Sequence, residues 1–154
     1  MPLRCQIITQ ERLVFDEQVD IVLAPASEGR IGVLPNHSPL IAALSLGELT
    51  VRTGGDEIHF AIGGGVIQVA NNQVIVLADT AEAEEEIDLA RADEARRRAE
   101  HIMAEGKPSD PDELAALEAS IRRAKLRLEV GRRRRPRRGT GPGGMDFESG
   151  GMSR

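Results

Sequence analysis

The chain has 154 residues, enough for one domain with its own core plus an appendage and too few for two large domains. Three Phe with neither Trp nor Tyr, an aromatic share of 2%, predict an aliphatic core. The same shortage argues against the aromatic platforms of sequence-tolerant single-strand nucleic-acid binding, which are worth ~1–3 kcal/mol per stacked base. The net charge of −5 conceals three zones: residues 1–80 hold 4 basic and 9 acidic side chains, 81–118 hold 5 and 13, and 119–138 hold 10 and 1.

Met1-Pro2-Leu3-Arg4-Cys5-Gln6 lacks the basic start and apolar stretch of a signal peptide, and nowhere do ~18 apolar residues run together. Membrane association is therefore expected only through a partner. Cys5 is the single cysteine, which excludes an intrachain disulfide and a thiolate cluster for zinc and suits a reducing cytoplasm.

Up to about Asp79 the pattern is one of short strands parted by turn residues, with β-branched residues in excess and apolar positions alternating. In Glu48-Leu49-Thr50-Val51-Arg52, Leu49 and Val51 point one way and the charged neighbours the other. Thr53-Gly54-Gly55-Asp56 supplies a turn, and Ile58 and Phe60 resume the alternation in the return strand. A second hairpin is predicted from Val66, Ile67 and Val69 through Asn71-Asn72 to Val74, Ile75, Val76 and Leu77, since Asn tolerates the positive φ of a type I′ turn. Several such strands without intervening helix predict antiparallel sheets packed as a sandwich or flattened barrel over residues 3–80.

Beyond Asp79, Ala, Glu and Arg replace the β-branched residues, predicting a helix from about Glu84 to Glu105. Gly106-Lys107-Pro108-Ser109 breaks it. Asp110-Pro111-Asp112-Glu113 starts a second helix, with an Asp cap, Pro at the first helical position and Glu at the third. Leu114, Leu117, Ile121, Ala124 and Leu128 are spaced 3, 4, 3, 4 and form one side of an antiparallel hairpin seam. Ala92, Ala95, Ala99 and Ile102 form the other. So small a seam buries little apolar area at ~25 cal/mol per Å2, so the hairpin is expected to open or repack readily.

The fold class is therefore α+β: a β-sandwich over residues 1–83, a helical hairpin over 84–131, and a basic extension with a disordered Gly-rich tail over 132–154.

Three segments together resemble one family. Gly29-Arg30-Ile31-Gly32-Val33-Leu34-Pro35-Asn36-His37-Ser38-Pro39-Leu40-Ile41-Ala42-Ala43-Leu44 is similar to the loop-and-strand signature of the F-type ATP synthase epsilon subunit family. Phe60-Ala61-Ile62-Gly63-Gly64-Gly65-Val66-Ile67-Gln68-Val69 and the stretch from Asn71 to Glu82 resemble its last β-hairpin. The resemblance spans residue 3 to about 130. It implies a non-catalytic subunit that couples proton flow to ATP synthesis and inhibits ATP hydrolysis through its C-terminal helices. It implies as partners the gamma subunit, the c-ring and the α and β subunits, and as location the cytoplasmic face of the bacterial plasma membrane.

The resemblance also implies site residues. Ile87-Asp88-Leu89-Ala90-Arg91-Ala92 matches the Ile/Leu-Asp-x-x-Arg-Ala pattern of members that bind ATP. By that match Glu82 and Asp88 accept hydrogen bonds around adenine and Arg91 contacts phosphate, with Arg98, Arg123 and Arg127 as further basic contacts. Asp88 and Arg91 share a helix face, and a guanidinium fork suits phosphate oxygens at any working pH. The bland reading of the same helix is a solvated, salt-bridged surface. No cofactor is required; ATP is a possible regulatory ligand.

Arg122, Arg123, Lys125, Arg127, Arg132 and Arg133 are expected to engage acidic segments of the catalytic β subunits. Gly32, Pro35, His37 and Pro39 fall in the expected stalk and c-ring contact loop. Standing alone, Arg132 to Arg138 reads equally as an arm for nucleic acid or anionic lipid; the β signatures favour the protein partner. Gly63-Gly64-Gly65 lacks the Gly-Lys-Ser/Thr of a phosphate loop and precedes a strand, so close backbone approach or a bulge is expected. His37, His59 and His101 are too scattered for a metal site, and His37 beside Ser38 is not a triad, whose geometry is set in space.

Overall fold

A computed structural model describes residues 2–133. The Arg run beyond Arg133 and the Gly-rich tail lie outside these described residues. Seven strands follow one another with short connections: β1 Leu3–Ile8, β2 Leu13–Val19, β3 Ile21–Ala26, β4 Gly29–Val33, β5 Leu40–Thr53, β6 Asp56–Ala70 and β7 Gln73–Ala78. They hydrogen-bond in the order β2-β1-β7-β6-β5-β3-β4, and a short β8, Ala81–Ala83, pairs with β6. Every pairing is antiparallel except β1 with β7.

Alternation along these strands sets the core. Leu3, Cys5 and Ile7 of β1, Leu49 and Val51 of β5, Phe60 and Ile62 of β6, and Val74 and Val76 of β7 are all buried in one cluster. Phe15 of the edge strand β2 meets Phe60 edge-on at 5.4 Å, although three steps separate their strands in the sheet. The sheet is thus folded over on itself, the two-layer arrangement expected from the sequence.

The two predicted hairpins share one long strand, β6. Its first half returns from the Gly54-Gly55 turn, where Gly54 has φ 62°, and its second half leads into Asn71-Asn72, at φ 53° and 61°, as a type I′ turn requires. Between the halves β6 changes partner from β8 to β7 at the glycine triplet. Gly65 has φ 130°, and a Cβ there would lie 2.1 Å from the carbonyl oxygen of Leu77. The triplet is therefore the close-approach point that the absence of a phosphate-loop pattern indicated.

The helices are α1, Leu89–Glu105, and α2, Pro111–Gly131. The start of α1 corrects the expectation of a helix from Glu84. Glu84–Glu86 form one 3-10 turn, and Ile87 is extended at φ −77°, ψ 126°. Two local demands stop the helix from beginning earlier. The Asp88 carboxylate accepts the Arg91 backbone N–H at 3.1 Å, capping α1, while Ile87 is drawn into an apolar contact with the end of α2. Asp110 caps α2 through the Asp112 N–H at 2.9 Å, with Pro111 at the first turn.

On α2 the seam is as expected: Ala124 and Leu128 are buried, and Leu114, Leu117 and Ile121 half-buried. On α1, Ala92 and Ala99 are buried, but Ile102 is 46% exposed and Met103 is half-buried in its place. The stagger 92, 99, 103 keeps the helical period of 3.6, whereas 92, 95, 99, 102 drifts off the contact line by its end.

Candidate functional site

The outer face of β5 and β6 carries Glu48, Thr50, His59 and Ala61, and it is covered by the end of α2. Val130 is fully buried there against Ala61 and Ile87, with Leu89 and Leu126 packed around them. Gly131 allows the approach: a Cβ on it would sit 2.6 Å from Leu89 Cδ2. Two ion pairs flank this small apolar contact. Arg127 grips Glu82 bidentately at 2.7 and 3.1 Å, and Arg133 pairs with Glu48, which raises the Arg133 pKa and keeps the guanidinium charged.

A cleft of about 520 Å3 opens between the hairpin and the β-domain. Arg12 on the β1–β2 turn, Glu82 before α1, Ala95 on α1, and Ser120, Arg123 and Arg127 on α2 line it. Arg123 donates to Ser120 Oγ at 3.2 Å, and Arg12 pairs with Glu86 at 3.0 Å. Burial raises the Glu86 pKa, but the hydrogen bonds from Arg12 and from the Ala83 backbone N–H outweigh it, and Glu86 is held below the usual carboxylate range.

The residues of the expected ATP motif separate into two groups. Ile87, Asp88 and Ala92 have structural work: Ile87 packs under Val130, Asp88 caps α1, and Ala92, at 0% exposure, lets the helices close. Glu82, Arg123 and Arg127 do converge on the cleft. Arg91 and Arg98 are exposed and stand one helical turn to either side of Ala95, so they share its side of α1; Arg98 makes a long 3.8 Å pair with Glu94.

Of the expected partner-binding cations, Arg122, Arg123 and Arg132 are exposed, and Lys125 lies 3.9 Å from Glu100. Arg127 and Arg133 are engaged by Glu82 and Glu48 of the same chain, which the sequence did not reveal. Val130 and Gly131 were also missed as docking residues. The signal for them was a β-branched residue and a glycine closing a helix whose preceding residues, 122–129, are only Arg, Lys, Ala, Leu and Glu.

In the expected contact loop, Gly32 faces Leu23 on β3, and Pro35, His37 and Pro39 follow β4. The loop is pinned across the sheet: Asn72 Oδ1 accepts the Asn36 N–H, and Asn72 Nδ2 donates to Asn36 Oδ1 at 3.2 Å. The His37 ring bonds the Ser38 carbonyl, at 2.7 Å. Beside the loop, the sheet exposes an apolar face that sequence reading overlooked. Ile41 is 72% exposed, with Val66 and Leu77 at 41% and 50%, and Ala43, Val66 and Leu77 are opposite one another across β5, β6 and β7. Cys5 is buried, and that burial, with the charge of Asp16, pushes its pKa up to about 12, leaving an inert thiol.

Residues 2–84 match the family described as ATP synthase, Delta/Epsilon chain, beta-sandwich domain, and residues 85–131 match its long alpha-helix domain. The ATP synthase epsilon chain of Dehalococcoides mccartyi is 49% identical over 134 residues, 86% of this chain and 94% of the relative. That of Herpetosiphon aurantiacus is 45% identical over 137 residues, 89% and 99%. Among solved structures, a chain of the Euglena gracilis mitochondrial ATP synthase, determined with OSCP, F1 and the c-ring, superposes with TM-score 0.69 at 25% identity, covering 83% of this chain and 79% of its own length. A chain from the central stalk and c-ring of the Tetrahymena thermophila enzyme shares the fold at TM-score 0.59 and 13% identity, covering 85% and 97%.

Proposed function

The chain belongs to the ATP synthase epsilon chain family, and from that premise we propose a division of labour between its two parts. The β-domain docks on the rotor, and the hairpin is a reversible brake on ATP hydrolysis. The chain acts by contact and catalyses nothing itself.

The observation that carries this reading is how the hairpin is held. One small apolar contact around Val130 and two ion pairs fasten it to the β-domain. Burying Val130 and Ile87 contributes about 3–6 kcal/mol, and a pair such as Arg127–Glu82, about a third exposed, adds less than about 1 kcal/mol. A total of a few kcal/mol is the range in which a partner shifts a two-state equilibrium. Arg127 and Arg133 can exchange their own carboxylates for those of the catalytic β subunits, joining Arg122, Arg123, Lys125 and Arg132.

The apolar row of Ile41, Val66 and Leu77, continuous with the pinned loop of Pro35, His37 and Pro39, offers the docking face for the gamma subunit and the c-ring. No helix among the described residues is long and apolar enough to cross a membrane; attachment to the cytoplasmic face of the membrane would come through the complex. The comparisons give the nucleic-acid alternative no support.

The test is ATP hydrolysis by the cognate catalytic complex depleted of this subunit. Replacing Arg122, Arg123 and Lys125 by Gln is expected to weaken inhibition by the added chain several-fold, and raising salt is expected to act in the same direction, since exposed charges are screened over ~10 Å at 0.1 M. Inhibition untouched by both changes would contradict the basic face as the contact.

We propose ATP as a ligand of the cleft when the hairpin is docked. Arg123 and Arg127, with Arg91 and Arg98 alongside, offer phosphate donors, and a nucleotide there bridges both helices to Glu82 and so favours the docked state. Titration calorimetry with millimolar ATP is expected to show binding, weakened on the order of tenfold by Arg123→Gln, the loss of one charge-assisted contact of ~1.5–3 kcal/mol. No heat at millimolar ATP would remove the nucleotide from the account and leave the brake intact.

A further inference from the structure

The outer face beneath the end of α2 holds a polar cluster built around the Arg133–Glu48 docking pair, and the nucleotide cleft does not use it. His59 on β6 is its centre, with a side chain only 12% exposed. Its Nδ1 lies 3.1 Å from Glu48 Oε2 and 3.1 Å from Thr50 Oγ1, both on β5, and its Nε2 lies 3.4 Å from Glu57 Oε1. Glu84, after β8, accepts the His59 backbone N–H at 2.8 Å. Further charges beside it are Arg52, which holds Glu57 at 2.6 Å, Arg30, which donates to the Glu48 carbonyl at 2.9 Å, and Arg133, two residues past the end of α2, with Glu129 at 3.8 Å.

Arg133 and His59 converge on the same atom, Glu48 Oε2. In the neutral imidazole with its proton on Nε2, Nδ1 accepts from Thr50 and Arg133 has Glu48 to itself. Uptake of a proton from solvent turns Nδ1 into a donor aimed at Glu48 Oε2, the oxygen that Arg133 occupies. Two cations then compete for one carboxylate oxygen in a site where Glu48, 13% exposed, has little water to relieve the repulsion. Each cation weakens the binding of the other, by linkage. Histidine is the side chain whose charge ordinarily changes between pH 5 and 8.

We propose that His59 is a proton-operated release for the hairpin: protonated, it takes Glu48 from Arg133 and loosens the docking of Val130 and Gly131. Docking is tight while His59 is neutral and is weakened when it is protonated. The proposal rests on the reading of the hairpin as a reversibly docked element and is independent of the nucleotide cleft.

Hydrogen exchange of the full chain at pH 8.0 and pH 5.5, expressed as protection over the intrinsic rate at each pH, tests it. Amides at the end of α2, residues 126–131, are expected to lose protection on the order of tenfold at the lower pH, the effect of one like-charge neighbour in a partly dry site. His59→Gln is expected to abolish that loss, and Arg133→Gln to leave protection low at both values. Amides of Val22, Leu49 and Val74 in the β core report in the same experiment that each variant is folded. An equal loss in His59→Gln overturns the proposal and leaves the brake standing. Exchange of the α2 end only together with the β core overturns both.

Discussion

Val130→Asp is expected to free the helical hairpin from a β-domain that stays folded. Val130 has no exposed surface and lies against Ala61 and Ile87, and those two apolar neighbours offer a carboxylate no partner. A buried unpaired charge costs several kcal/mol, but α2 can escape that cost by undocking. The penalty is therefore capped near the few kcal/mol of the docking contact itself. Leu3, Val22, Leu49, Ile67 and Val74 form a separate core that Val130 does not enter.

The expected readings follow from that separation. Limited trypsin digestion cuts after Arg127 and Arg132 in the variant at least tenfold faster than in the parent, while the main melting transition of the β-domain stays within a few degrees. Val130→Ala, which removes apolar area without adding charge, gives an intermediate rate. Under the proposed function the same variant inhibits ATP hydrolysis more strongly than the parent, because its hairpin no longer pays to leave the docked state. Concerted loss of both parts at one lowered temperature would show that the hairpin is integral to the core.

Most of the β-domain was legible because its signals are local. The period of two put Leu49, Val51, Phe60 and Ile62 inside, Asn71-Asn72 specified a turn that few other pairs tolerate, and the glycine triplet marked a place where backbone meets backbone. The α2 start was equally plain, since Asp110, Pro111 and Glu113 all act within one turn. What sequence could not supply was long-range. Whether the helix begins at Glu84 or Leu89 depends on Ile87 being drawn under Val130, 43 residues later in the chain, and propensity alone favours the longer helix.

The candidate site was legible by composition and opaque in its state. Clustered arginines raised the expectation of an anionic partner, whereas the structure shows Arg127 and Arg133 already holding Glu82 and Glu48 of the same chain. The motif Ile87-Asp88-x-x-Arg91-Ala92 also shows how a pattern can mix purposes: a packing residue, a cap and a close-contact alanine frame one exposed arginine. Exposure of Ile41, Val66 and Leu77 was hidden for another reason. An apolar residue on a strand reads as core from either face, and the choice of face is fixed by register and by which layer covers it.

Under the proposed function the brake resides in the hairpin and the rotor attachment in the β-domain. ATP hydrolysis by the cognate catalytic complex, depleted of this subunit, is measured after adding either the full chain or a truncation ending at Glu86, which keeps the whole β core and the Arg12–Glu86 pair. Inhibition by the full chain and none by the truncation, with both still bound to the complex, is expected. Equal inhibition by the two, or failure of the truncation to bind although it is folded, would contradict it.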